Sequence, residues 1–388
     1  MKSSNFRYLV GVDHLRGIAA LTVLLFHGTQ LITGDLKGRS FDPTFDRGLT
    51  EWNPVKALVA EGQLGVSLFM VLSGFIFVSG LIGRQWSVPL FFYNRLVRIY
   101  PLYVFLIVLA VALYPQTSTA ALIQAIVPIA GFSPADADVG IVHSTGVIWT
   151  VAVEVQFYLL FPFLMRWVEQ RRFWLLARVV LLMVVLRGLA LVAGDVQMGR
   201  LGFTIFGHLD EFVCGMVAAW LFRHRADAVH RWRWTLMAGG LLGWTALALG
   251  MNRWRAGVGE QRYSDIFVIL PTITGIVMAV VVLGWVATVS SERALWSRLL
   301  ARLGVISYSL YLTHFMVLQI LVARVDLPRL GFSLWLDSLV WSVVVFVPLT
   351  IALSALTYSV VEKPFLELRK RYVATPEPVR VTDRVPVS

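Results

Sequence analysis

The sequence predicts an all-α, polytopic integral membrane protein, with about ten transmembrane helices and both termini in the cytoplasm. Three observations predict it. Hydrophobic residues make up 57% of the 388 residues and charged residues only 15%, and the mean hydropathy is +0.73. Soluble domains are nearer half apolar, with about a quarter of their residues charged. The apolar residues gather in runs of about twenty, the length that crosses a bilayer core. Finally, Lys and Arg alternate between loops: 22 lie on the side that holds both termini, 10 on the other, with Arg16 and Arg187 inside apolar runs. The richer side faces the cytoplasm.

The first span is expected over 14–33. Lys2 and Arg7 precede it as in a signal peptide, but Asp13, His14 and Arg16 crowd its start and no small-residue cleavage site follows. It reads as an uncleaved helix. Further spans are expected at 61–83, 99–115, 146–165, 173–193, 201–222, 235–251, 265–288, 304–323 and 336–360. Between the third and fourth, Ala120–Phe132 is apolar but too short to cross, which suits a re-entrant or interfacial segment. Residues 1–365 form one membrane domain. Residues 366–388 read as a charged, partly disordered tail carrying Pro376 and Pro378.

The net charge of +11 sets orientation rather than marking a nucleic-acid surface, because no basic patch is interleaved with stacking aromatics. Cys214 is the sole cysteine, which excludes an internal disulfide or a cysteine metal cluster. No metal-ligand spacing is present. No internal repeat is visible, so the inverted-repeat signature of many transporters is missing.

Ionisable side chains at membrane depth are costly and mark candidate sites. Arg16 and His27 share the first helix. Three turns bring them within roughly 20° of one face, about 16 Å apart along the axis. Each has an ordinary reading as well, a snorkelling arginine and a core histidine. Glu154, on the fourth span, reaches a depth similar to that of His27. A carboxylate beside an imidazole is a recurrent acid–base pair, and a structural pair with an arginine is the alternative. His314 lies one helical turn from Tyr311 and suits either catalysis or a hydrogen-bonded core. Arg187 with His208, Asp210 and Glu211 reads as an interhelical salt bridge. Cys214 reads as packing. Arg95 and Arg98 sit three apart at a cytoplasmic helix start. With Arg16 they form a phosphate grip or a simple positive-inside anchor.

These residues also fall into ordered motifs. Val12-Asp13-His14-Leu15-Arg16-Gly17 followed by His27 resembles the opening motif of the membrane-bound acyltransferase-3 family. Gly65–Phe75 is similar to its second-helix motif, Arg95–Pro101 to its paired-arginine motif, and Trp149–Pro162 to its fourth-helix motif. Ser307–His314 and Tyr358–Phe365 resemble its closing motifs. Ser67 stands where an Asp is frequent and Val155 where a second acid is common. The chain looks like the stand-alone form, without a hydrolase-like domain after the last helix.

The resemblance implies an O-acyltransferase of the inner membrane. Its donor would be cytoplasmic acyl-CoA, most often acetyl-CoA, with no metal. Its acceptor would be the hydroxyl of a carbohydrate, such as an exported polysaccharide or oligosaccharide, with a macrolide as another acceptor class. It implies roles for Arg16, Arg95 and Arg98 on the donor and for His27 as base. Glu154 is then expected to orient His27, with Trp149, Tyr311 and His314 lining the pocket. The rival classes are a glycoconjugate or proton-coupled transporter and an acyl-CoA sensor without turnover.

Overall fold

The computed structural model describes residues 8–38, 53–113, 147–194, 201–258, 263–289 and 291–374. The expected interfacial segment at 120–132, and the tail beyond residue 374, lie outside them. The described chain is α-helical apart from one isolated antiparallel bridge between Trp86 and Val373.

The helices are α1 (Val10–Leu36), α2 (Pro54–Ala60), α3 (Leu64–Leu81), α4 (Val88–Leu113), α5 (Trp149–Glu169), α6 (Phe173–Ala193), α7 (Ile205–His224), α8 (Ala226–Arg231), α9 (Arg233–Val258), α10 (Tyr263–Phe267), α11 (Leu270–Thr288), α12 (Leu295–Val305), α13 (Ser307–Arg324), α14 (Leu334–Trp341), α15 (Val347–Thr357) and α16 (Lys363–Glu367). Among the described residues nine helical stretches are long and apolar enough to cross a membrane. A bent pair makes a tenth.

Most spans fall where hydropathy places them, because lipid leaves a backbone no partner but itself. Two differ in a way that matters for the site. The third begins at Val88 rather than 99, so Arg95 and Arg98 lie two to three turns inside a helix. The ninth breaks by 72° at Ile306 into α12 and α13. At 11 residues, α12 covers about 16 Å, too little to span. It packs along the start of α1, where a side chain at Gly304 would collide with the Asp13 carbonyl.

α1, α3 and α7 form the core. α3 and α7 approach closely at Gly74 and Gly215, where any Cβ would strike the facing backbone carbonyls of Phe212 and Val71. Small residues of this kind let helices pack tightly in lipid. α6 and α9 are peripheral and expose Leu181, Leu189, Val192 and Leu242, as lipid-facing helices do.

The last span is one helical path interrupted by two π turns, Ser342–Phe346 and Tyr358–Glu362. Each is followed two residues later by a proline, Pro348 or Pro364. A proline cannot donate to the carbonyl four residues back and clashes with it, and the wider turn relieves that conflict. The second π turn carries Glu362 inward. The first seats Ser342 and Phe346 against Gly28, beside His27.

Candidate active site

A cavity of about 300 Å³ lies among the helices at the end where α1 begins and extends inward to Thr150 and Tyr311. Tyr8, Asp13, Arg16, Arg95, Arg98 and Arg369 line that end, and Thr150 and Tyr311 line the other. Between them the wall is apolar and aromatic, with Phe69, Met70, Phe77 and Phe212, and carries Ser73, Glu154 and Tyr158. The structure therefore brings together Arg16, Arg95, Arg98, Glu154 and Tyr311 on one cavity.

α4 aims both of its arginines inward, one turn apart. Arg95 lies over the rings of Phe77, Phe91 and Tyr158, at 4.9, 5.6 and 5.9 Å. Its Nε is buried with no hydrogen-bond partner. Arg98 pairs with Glu362 and lies 5.2 Å over Tyr308. Glu362, 1% exposed, also accepts from Ser309 Oγ at 2.8 Å. Arg16 stands 3.8 Å from Asp13 on its own helix. Tyr8 lies just before α1. Burial, with Glu292 and Asp13 beside it, pushes its hydroxyl up, so it stays protonated at this end of the cavity.

Glu154 accepts hydrogen bonds from Tyr158, one turn along α5, and from Ser73 of α3 at 3.3 Å. The expected bond between Glu154 and His27 is not formed. His27 instead meets His314. His27 Nδ1 and His314 Nε2 lie 3.0 Å apart, and the rings stack at 5.1 Å. Phe26 and Phe315 flank His27. His314 is fully buried, and its Nδ1 lies 2.5 Å from the Tyr311 carbonyl.

This chain of contacts fixes both tautomers. A carbonyl only accepts, so His314 Nδ1 carries a proton and its Nε2 accepts. With both rings neutral, His27 Nδ1 must then donate, which leaves His27 Nε2 as the proton-free nitrogen. The imidazole pair is not part of the described cavity wall. It adjoins the cavity through Tyr311, whose ring is 5.6 Å from that of His314.

Trp149 packs on Phe203 and His208, each at 5.3 Å, also outside the cavity wall. Arg187 is fully buried and binds Asp210 at 2.7 and 3.2 Å. His208 binds Glu211 within α7 at 2.9 Å. Cys214 lies between these acids and α11, close to Gly275. Among the described residues no three His, Cys, Asp or Glu side chains gather closely enough to hold a metal ion.

Sequence reasoning gave no role to Glu362, Tyr158, Tyr308 or Arg369. Glu362 left a signal, an acid at the end of an apolar run immediately before Lys-Pro. Arg369 lay hidden in a charged tail.

Residues 9–359 match the model of a family described as an acyltransferase domain. The chain is also 28% identical over 348 residues to nodulation protein 10 of Rhizobium leguminosarum bv. viciae, covering 80% of this chain and 84% of that protein. No solved structure matches.

Proposed function

The chain belongs to the acyltransferase-3 family of multi-pass membrane proteins, and on that premise we propose that it transfers an acetyl group from cytoplasmic acyl-CoA to a hydroxyl of a carbohydrate. The observation that carries this reading is the cavity, which begins among arginines and ends beside a tautomer-locked histidine pair. The arginine-rich end, with both termini, faces the cytoplasm of the inner membrane. The acceptor, an exported polysaccharide or oligosaccharide, meets the opposite end.

Arg16, Arg95 and Arg98 bind the phosphates of the donor. Bidentate guanidinium contacts suit phosphate oxygens. The acylated arm then extends along the apolar wall. From Arg16 to His27 is about 16 Å of helix, comparable to the reach of that arm.

His27 Nε2 takes the proton of the acceptor hydroxyl as its oxygen bonds to the thioester carbonyl carbon. The tetrahedral intermediate expels the CoA thiolate, and the proton on His27 returns to that sulfur. His314 acts as the positioning residue that holds the tautomer, a part played by a carboxylate in serine hydrolases. Glu154 balances positive charge on the cavity wall and fixes Tyr158. Tyr311, on the cavity wall, flanks the acceptor.

Labelled acetyl-CoA and candidate glycans, given to the purified protein, test this reading. Wild type transfers label covalently. His27→Ala loses about 10²–10⁴ of the rate while remaining folded. His314→Gln, which can still accept from His27 Nδ1, retains more activity than His314→Phe. Wild-type turnover by His27→Ala removes His27 from the mechanism. Equal rates for the two His314 variants remove the tautomer argument.

A further inference from the structure

The family match ends at residue 359, yet the chain beyond it folds back onto the cavity. After α16, residues 368–374 cross the start of α4 as a strap. Val373 bridges Trp86, the Ser87 amide donates to the Tyr372 carbonyl at 2.9 Å, and the Ala374 amide to Gln85 O at 2.9 Å. Asn94, fully buried on α4, binds both polar groups of the Lys370 backbone, donating to its carbonyl at 2.6 Å and accepting from its amide at 2.8 Å. Tyr372 and Val373 are buried, and the Tyr372 ring packs on Phe91.

Within this strap the basic residues divide. Lys370 lies over the Tyr93 ring and Arg371 donates to Val373 O. Arg369 alone of the three lines the cavity, with Arg16, Arg95 and Arg98. That makes four guanidiniums on a wall whose carboxylates are Asp13 and Glu154. Arg16 has Asp13, and Arg98 has Glu362 behind it. Arg95 and Arg369 have no carboxylate partner among the described residues, and the Nε of each is buried without a hydrogen-bond acceptor. Burial and the neighbouring charges of Arg98, Arg95 and Arg16 push Arg369 below its ordinary range. Cations so placed are stabilised by an anion that spans them.

We propose that the C-terminal strap is part of the donor site, holding Arg369 beside Arg95 to grip a phosphate group of the CoA donor. This rests on the donor reading given above. The strap then decides donor affinity without touching the acyl group, and the acceptor chemistry is left to the far end of the cavity.

The test is steady-state kinetics of the full-length protein in neutral-lipid nanodiscs, with acetyl-CoA and with acetyl-pantetheine, a thioester that lacks the phosphates. Arg369→Gln is expected to raise KM for acetyl-CoA about tenfold with kcat nearly unchanged. KM for acetyl-pantetheine stays at its wild-type value. Arg369→Lys recovers part of the loss, Asn94→Ala raises the acetyl-CoA KM in the same direction by loosening the strap, and Lys363→Gln, exposed on α16, changes nothing. An acetyl-CoA KM unmoved by Arg369→Gln, in a protein that turns over, overturns the strap's role and leaves the donor reading standing. An equal rise with acetyl-pantetheine makes the residue structural and also overturns it. An effect seen only with added anionic lipid assigns Arg369 to a headgroup and overturns it too. A wild-type protein that neither turns over acetyl-CoA nor binds CoA defeats the donor reading itself, and this inference with it.

Discussion

Arg187 and Arg95 are both guanidinium groups carried inside apolar helices, and their hydrogen bonds are arranged in opposite ways. Arg187 donates from Nε to Val268 O, from Nη1 to Gly207 O and Asp210, and from Nη2 to Asp210 and Thr272. Thr272 in turn donates to Asp210 at 2.5 Å. Every nitrogen has an acceptor, and Arg187 is not on the wall of the cavity described above. Arg95 has aromatic faces around it, an unmatched Nε, and a cavity beside it. A closed network locks three helices together. An open one holds charge in readiness for a ligand. Hydropathy does not separate the two, since both are arginines inside spans, but counting the partners of each nitrogen does.

The largest expected effect breaks the closed network. Arg187→Met leaves Asp210 buried with no cation and should cost about 3–5 kcal/mol of stability, read as a fall in thermal unfolding temperature in detergent or as loss of folded protein. Arg187→Met combined with Asp210→Leu should recover much of that loss, because replacing a whole buried pair is far milder than breaking one. Arg95→Gln is the counterpart. It should leave the unfolding temperature nearly unchanged and raise the acetyl-CoA KM about tenfold. If Arg95→Gln instead unfolds the protein while Arg187→Met only slows it, the two networks have been assigned the wrong way round.

Arg98 lies between these extremes. It faces the cavity and is paired, with Glu362 held in turn by Ser309. Glu362→Gln keeps the shape and one acceptor oxygen for Arg98, turns the other position into a donor toward Ser309 Oγ and removes the charge, so a stability loss of about 1–3 kcal/mol is expected. The accompanying change in donor KM should be smaller than for Arg95→Gln. An unfolding temperature equal to that of wild type shows that Glu362 does not hold Arg98.

The same contrast explains what the sequence reveals and what it conceals. Span positions are legible because each helix must satisfy its own backbone in lipid, a constraint local to the segment. The break at Ile306 is not legible. It depends on Gly304 meeting the Asp13 carbonyl, and nothing near residue 304 announces α1. The π turns are half legible, each trailed by a proline in an apolar run. Arg16, Arg95, Arg98 and Glu154 stand out as charges inside apolar helices, and the cavity does gather them. The meeting of His27 with His314 does not follow from depth. Glu154 sits one turn from Tyr158, which lies under Arg95, whereas His314 comes to His27 from α13. Arg369 escapes because a charged, proline-bearing stretch has the composition of a disordered tail, while Asn94, which anchors it, lies on another helix.

The smallest expected effect concerns salt. If the arginine cluster is reached from water, mobile ions screen it, since the Debye length falls from about 10 Å at 0.1 M to about 3 Å at 1 M. Raising sodium chloride from about 0.1 to 1 M should then increase the acetyl-CoA KM several-fold and leave that for acetyl-pantetheine unchanged. Asp210 and Arg187 are sealed from solvent, so the unfolding temperature should scarcely respond over the same range. Arg95→Gln and Arg369→Gln should each flatten the salt dependence of KM, because each removes one charge that the ions screen. A salt effect identical in wild type and both variants would assign the dependence to another surface, and the open network would lose its claim to the donor.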